Sequence, residues 1–364
     1  MKKILFCLAA FIAVLMTPAA HVFGSELNFA AKAQLPDNQV HKDVSYFDIK
    51  MDRGAKQTLH VDLRNDTDNE VTVDVGIASA TTNINGVVEY SPNNIRPAKS
   101  LVFNLKDYVK APSQIKIPAK GNTVLNLDVT MPDAPLKGQM AGGITLKEHR
   151  TEDQAKEEQS KGMSINNRFS YVIGLVLQQA TQPVAPQMTL STVRPGQVNY
   201  RNVISAALEN VTPTFINKVA IDANVRVKGA KKVLYKVKKE GMQLAPNTTF
   251  DFPIALAGKA LEPGTYIAQL EVYGNQSPDG QVTRQVNGHK QRYQNHWTLT
   301  KQFTITGHTA QDLNQKDVTL KATNHWWVYA LLAVVALLLI VIAILVIMLV
   351  KRKRKKDAKR VHVN

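Results

Sequence analysis

Val219-Ala220-Ile221-Asp222-Ala223-Asn224-Val225-Arg226-Val227 is the longest clean period-2 run in the chain. Alternation of this kind sends every second side chain to one face of a pleated strand, so Val219, Ile221, Ala223, Val225 and Val227 are expected to point inward. Its neighbours repeat the pattern. Val233, Tyr235 and Val237 follow, then Phe250, Phe252, Ile254 and Leu256, then Tyr266, Ala268, Leu270 and Val272. Upstream, Leu59-x-Val61-x-Leu63, Val71–Ile77 and Leu125-x-Leu127-x-Val129 alternate in the same way, and Tyr171–Leu177 reads as a strand buried on both faces. Asn, Gly, Pro and Asp turns separate these short strands, which is the pattern of antiparallel sandwiches. Glu152–Lys161 is charged all round, so Lys147–Met163 reads as an exposed excursion between two strands.

Three landmarks recur in order. Leu63-Arg64-Asn65-Asp66-Thr67 is echoed by Leu208-Glu209-Asn210-Val211-Thr212. Gly121-Asn122-Thr123 and Pro246-Asn247-Thr248 each open a strand, and Pro135–Gly138 and Pro263-Gly264 each precede the next. Related tandem domains explain this; chance is the alternative, because Asn-x-Thr and Pro-Gly turns are common. The expected fold is all-β: two tandem immunoglobulin-like β-sandwich domains followed by one C-terminal transmembrane α-helix. The domains are placed at residues 25–178 and 188–308, joined by a stiff linker at 179–187 that contains Thr181-Gln182-Pro183-Val184-Ala185-Pro186.

The two ends set the compartment. Lys2-Lys3, the apolar run Ile4–Met16 and the small residues beyond it form a secretory signal at 1–24, with cleavage expected near Gly24–Ser25. After a juxtamembrane tether at 309–325, Trp326–Val350 carries no charge, Pro or Gly and is long enough to span a bilayer. The basic tail 351–364 opens with Lys351-Arg352-Lys353-Arg354-Lys355-Lys356, which the positive-inside bias keeps in the cytoplasm. The expectation is a single-pass type I protein of the cell membrane, its ectodomain facing the wall. The one cysteine, Cys7, lies in the signal, so the mature chain has none. A cysteine-free ectodomain points to a bacterium with a single membrane and a thick wall.

The net charge of +16 splits into +2 in the signal, −1 over 25–187, +8 over 188–308, 0 over 309–350 and +7 in the tail. Only the second half of the ectodomain is therefore cationic. Because it lies outside the cell, nucleic acid is excluded as a partner. Catalysis lacks support: the nine His are scattered without ligand spacing, and there is no Gly-x-Ser-x-Gly or phosphate-cradling loop. No cofactor and no metal are expected. The acidic cluster Asp66–Glu70 reads as a solvated hairpin turn in preference to a calcium site.

Two surfaces are candidate binding sites. Around Asn-Gly at 85–86, Asn83, Asn85 and Tyr90 offer amides and a ring that could read sugar hydroxyls or peptide backbone; the alternative is a capped loop. On the 233–239 strand, Lys232, Lys236 and Lys238 form an outward row beside Arg226 and Lys228. Such a row could grip polyanionic teichoic acid or an acidic protein, or it could simply protect a sheet edge from aggregation.

Tyr46-Phe47-Asp48-Ile49, the Gln57–Asn65 strand, Thr82-Asn83-Ile84-Asn85-Gly86, Gly138–Ile144 and Asn167–Gly174 together resemble the WxL-interacting proteins of Gram-positive Firmicutes. The resemblance covers essentially the whole chain and implies a first domain that binds peptidoglycan. It implies a second domain that binds a partner or host surface ligand, such as a host extracellular-matrix protein, in cooperation with wall-bound WxL-domain proteins. It brings no agreed binding residues. Gly142-Gly143 is expected to mark close backbone approach within the sheet. The implied function is a non-enzymatic adhesion and scaffold component. A membrane-tethered assembly factor that grips exported proteins by strand addition is the alternative, and a wall-modifying enzyme the third reading.

Overall fold

The computed structural model describes residues 27–150, 169–320 and 326–361. The secretory segment and residues 151–163 of the Lys147–Met163 excursion lie outside the described residues.

The first β-rich domain opens with β1 (Ala30–Gln34), β2 (Phe47–Lys50), β3 (Lys56–Arg64) and β4 (Val71–Ser79). A small hairpin, β5 (Thr81–Thr82) and β6 (Val88–Glu89), leads to α1 (Leu105–Tyr108) and β7 (Val109–Lys110). β8 (Gln114–Ile117), β9 (Asn122–Thr130), β10 (Gln139–Glu148) and β11 (Tyr171–Gln178) complete it. One sheet has the order β1-β3-β9-β7 and the other β2-β11-β10-β4-β8, with β2 parallel to β11. A single apolar core joins them: Leu59, Val61 and Leu63 of β3 with Leu125, Leu127 and Val129 of β9, against Val73, Ile144 and Leu175. Each side chain so buried contributes roughly 1.5–3 kcal/mol by leaving water.

The second β-rich domain contains β12 (Met188–Val198), β13 (Arg201–Asn210), β14 (Ile216–Val227), β15 (Val233–Leu244), β16 (Thr248–Ala255), β17 (Gly264–Gln276), β18 (Val282–Val286) and β19 (His289–Ile305). Its sheets run β12-β13-β16 and β15-β14-β17-β19-β18. The topology repeats that of the first domain: β12-β13-β16 corresponds to β1-β3-β9, and β15-β14-β17-β19 to β8-β4-β10-β11. Val219, Ile221, Ala223 and Val225 are fully buried in the core, as their alternation requires.

The recurring Asn-x-Thr landmarks occupy equivalent, buried places. The Asn65 amide donates to the carbonyls of Asn69, Ile117 and Pro118 at 2.8, 3.2 and 3.1 Å, while its oxygen accepts from the Thr67 N–H and hydroxyl. Asn210 donates to the carbonyls of Thr214 and Ala245 at 2.7 and 2.8 Å and accepts from the Thr212 N–H and hydroxyl. Each carboxamide ties the end of one strand to the loop that opens the next. Lys120 and Asn247, both at positive φ, shape those loops.

Two expectations need correction. Val233 and Val227 are exposed at 44% and 40%, because β14 and β15 run past the core into the turn at Gly229. The stretch after β19 is not a free tether up to residue 320: α2 (Gly307–Lys316) is N-capped by Thr306 and docks on the second domain. Asn314 bonds both the N–H and the C=O of Leu261, and Asp317 accepts the N–H of Asn202. Beyond it, α3 (Trp326–Val361) contains Ala330–Met348, 19 residues apolar enough to cross a membrane and with none of that window buried against protein.

Candidate functional site

β10 and β11 alternate between two apolar environments. Met140, Ile144, Ile173 and Leu175 point into the first core, whereas Ala141 and Val176 point out and pack with Ala80 and Val88 of the same domain and Ala245 of the second. This is why the second half of Tyr171–Leu177 is buried on both faces.

The joint is held by backbone as well as by packing. Thr82, 1% exposed, donates its N–H to the Thr248 hydroxyl and accepts the Ala245 N–H on its own hydroxyl, both at 3.0 Å. Gln139 N–H reaches Pro213 O at 2.7 Å, and Gln243 N–H reaches Gly86 O at 2.9 Å. Two glycines permit this approach. A Cβ on Gly138 would lie 2.2 Å from Pro213 O, and one on Gly86 2.4 Å from Met242 Cγ; both residues are also at positive φ.

Beyond Ala141 and Val176, the outward face of β10–β11 is left open and becomes a groove. Gly143 and Gly174 sit directly opposite each other in the ladder. A Cβ on Gly143 would lie 2.7 Å from Tyr90 Cβ, so this glycine is what lets Tyr90 lie against the sheet, while Tyr46 lies over Gly174 at ordinary contact distance, 3.4 Å from where a Cβ would stand. Burial raises the pKa of both phenols, helped at Tyr46 by Asp48 and at Tyr90 by Tyr46, so both stay neutral. The far wall belongs to the second domain: Phe215, Asn217 and Gln243. The Gln243 amide donates to Asn217 Oδ1 at 2.7 Å, a bond that does not use the Gln243 amide oxygen or the Asn217 NH₂, and both residues line the groove. The hollow is about 540 Å³, within the range of ligand sites, and its lining carries no charge. A larger interdomain cleft of about 860 Å³ is charged, holding Glu89, Arg96 and the Arg194–Asp251 ion pair.

Of the residues nominated from sequence, Tyr90 alone lines this groove. Asn83 is engaged in its own loop: its oxygen accepts the N–H groups of Asn85 and Val87, and its amide donates to Glu89 at 2.7 Å. The Asn85 side chain is exposed on that loop. Lys236 and Lys238 do face outward on β15, an edge strand, opposite Asn224 and Asp222. Their face is not purely cationic. Lys238 lies 3.9 Å from Asp222, and Asp222 and Glu240 hold the buried Arg284 at 2.6 Å each. Burial opposes the Arg284 charge, but these hydrogen bonds outweigh it and keep the guanidinium firmly protonated. Arg226 bonds the carbonyl of Ala230, and Lys228 and Lys232 lie on the exposed approaches to the 228–232 turn. Phe215, Asn217 and Gln243 were not nominated, since nothing local marks them. Tyr46, Gly143 and Gly174 do fall in the short runs that carry the family resemblance, and folding brings those runs together at the joint.

Among the described residues, no group of three or more His, Cys, Asp or Glu could hold a metal ion. The acidic turn Asp66–Glu70 is matched by Arg64, Lys120 and Lys116 at 2.7, 3.2 and 2.8 Å.

Two protein-family models match the chain. One describes the peptidoglycan binding domain of WxL Interacting Protein and spans residues 29–148; the other describes the host binding domain of the same family and spans 160–315. The second match begins upstream of β11, a strand that pairs in the first domain's sheet. No curated protein matches the sequence. Similar solved structures include the class 5 fimbriae chaperone CfaA, at 10% identity over 70% of this chain and 95% of that one, with a TM-score of 0.29. The YadV chaperone is 11% identical over 77% and 100%, with a TM-score of 0.29; the E. coli chaperone DraB is 15% identical over 69% and 90%, with 0.24. Likeness this distant carries no argument about mechanism.

Proposed function

Because this chain belongs to the family of WxL-interacting proteins, its two domain models together spanning most of the ectodomain, we propose that it works as an adhesion scaffold bridging membrane and wall. It is a non-enzymatic cell-surface protein with a peptidoglycan-binding domain, an association with WxL-domain proteins and one membrane helix in type I topology. In the proposed arrangement residues 25–178 hold wall glycan and residues 188–308 present a surface to a protein partner. Each domain closes as an immunoglobulin-like sandwich, a reading supported by the single core between its two sheets.

The observation that carries the scaffold reading is the joint at Thr82. A chain that only tethered two independent binders would need a loose linker, whereas here buried hydrogen bonds and a shared apolar cluster fix one domain on the other. Fixed geometry suits a part that holds two partners at a set spacing.

The test is a pull-down of the full chain from intact walls. Stable recovery of WxL-domain proteins is expected; transient capture of unfolded clients alone would favour an assembly factor instead. Teichoic acid and a host matrix protein are proposed as further partners of the second domain, the former through Lys232, Lys236 and Lys238. Changing all three to Glu is expected to abolish binding to walls that bear teichoic acid, and unchanged binding would return the row to edge protection.

A further inference from the structure

We propose that the tyrosine groove is the wall-glycan site and that both domains build it, the first supplying Tyr46 and Tyr90 on the glycine floor, the second supplying Phe215 and the Asn217–Gln243 amide pair. This rests on the peptidoglycan-binding reading and adds a location, a ligand chemistry and a contribution from the other domain.

The lining chooses the ligand. A polyanion would meet no cation there, and a charged peptide no counter-charge, because no ionised side chain lines the hollow. A neutral N-acetylhexosamine chain presents apolar ring faces and hydrogen-bonding hydroxyl and acetamido groups. Aromatic side chains match the former, and neutral phenols and amides the latter.

The site is also set before a ligand arrives. The Gln243 and Asn217 side chains hold each other, the Gln243 backbone is tied to Gly86, and the Asn217 N–H is held by the Asn275 side chain. A pre-ordered donor and acceptor avoid part of the entropy cost of binding. A polymer further needs a site with an open end. The groove continues at Ser45, Val172 and Ile173 into a second hollow of about 590 Å³ along β1. Tyr46, Val172 and Leu35 stand 36%, 42% and 38% exposed along that course, apolar contacts on a track that runs beside the charged Lys32 and Asp62 of the second hollow.

The experiment is co-sedimentation of the full chain, in detergent, with purified wall sacculi stripped of teichoic acid, with an N-acetylglucosamine tetramer as soluble competitor. Wild type is expected to sediment and the tetramer to displace it. The double variant Asn217→Ala, Gln243→Ala, which alters only the second domain, is expected to bind about tenfold more weakly, the equivalent of losing one or two net hydrogen bonds. Val172→Lys changes an exposed position without disturbing the core and is expected to weaken binding by blocking the track. If wild type binds and both variants bind equally well, the inference fails and peptidoglycan binding survives elsewhere on the chain. If wild type fails to bind stripped sacculi, both fall. Displacement by free stem peptide but not by the tetramer overturns the glycan assignment.

Discussion

Replacing Asn65 with alanine tests whether the buried carboxamide, rather than the turn around it, holds the first domain's loop ends together. The side chain is fully buried and makes five hydrogen-bonding contacts, its two amide N–H groups shared among three carbonyls and its oxygen accepting two bonds from Thr67. Alanine deletes all five. The groups at Thr67, Asn69 and Pro118 lie partly at the surface, so water replaces those bonds at about 0.5 kcal/mol each, whereas the bond to Ile117 O is buried and its loss costs about 1–3 kcal/mol. The expected loss is about 3–5 kcal/mol, a large share of the roughly 5–15 kcal/mol typical of a domain. At about 2–4 °C per kcal/mol, the first domain's melting transition should fall by about 10 °C. Asn65→Asp sharpens the test: it keeps the acceptor for Thr67 but sets a carboxylate against three carbonyls, so stability should recover as acid protonates it. Calorimetry of the full chain in detergent reads both variants. A loss of under 1 kcal/mol for Asn65→Ala, or no acid recovery for Asn65→Asp, would refute the reasoning.

Gly142→Ala would place a Cβ 2.0 Å from Ala78 O, which is backbone, so the β4–β10 pairing must open; a loss above about 2 kcal/mol is expected by denaturant titration, while Gly196→Ala, with nothing within 4 Å, should be near neutral. The second domain should weaken in acid. Hydrogen bonds from Arg284 and then Gln291 lower the Glu240 pKa; at Glu271 and Asp317 burial pushes upward, but hydrogen bonds from Thr298 and from Thr319 with the Asn202 N–H respectively outweigh it. Depressed carboxylates contribute stability above their unfolded values of about 4 and lose it as pH falls through the lower folded values, so its thermal midpoint should be flat from pH 7 to about 5 and decline below about 4. Arg284→Met should lower that midpoint at neutral pH by taking the guanidinium from Glu240 and leaving Asp222 only Lys238 at 3.9 Å, and should flatten the acid decline that Glu240 contributes.

Much of the fold was legible because burial on one face of a strand imposes a period that survives in the sequence. Leu59–Leu63, Leu125–Val129 and Val219–Val225 each place their apolar members in a core. Asn65 and Asn210 were visible as a repeat, yet they read as turn formers, since a sequence does not say whether a carboxamide turns outward or reaches the loop about fifty residues on. The α2 helix carries little signal in the sequence because only Ala310 and Leu313 form its apolar face, too few to show a helical period. The groove was half legible. Tyr90 stood out as a ring beside amides, but Phe215, Asn217 and Gln243 gain meaning only from Tyr46 and Tyr90, more than 120 positions away. Side chains that serve an interdomain surface leave no local period.

The docked α2 changes what the membrane anchor does. As a free tether, residues 309–325 would let the second domain wander tens of ångströms from the bilayer. Asp317 instead holds the chain on Asn202, and Val318 N–H bonds Tyr200 O at 3.0 Å. Only residues 321–325 separate Leu320 from the start of α3 at Trp326, a reach of about 20 Å at full extension. The second domain is thereby kept close to the membrane. The Thr82 joint passes that constraint on, because the first domain is fixed to the second rather than strung from it. If both domains build the proposed glycan site, that reach bounds its height above the bilayer, and with it the height of a glycan strand lying there.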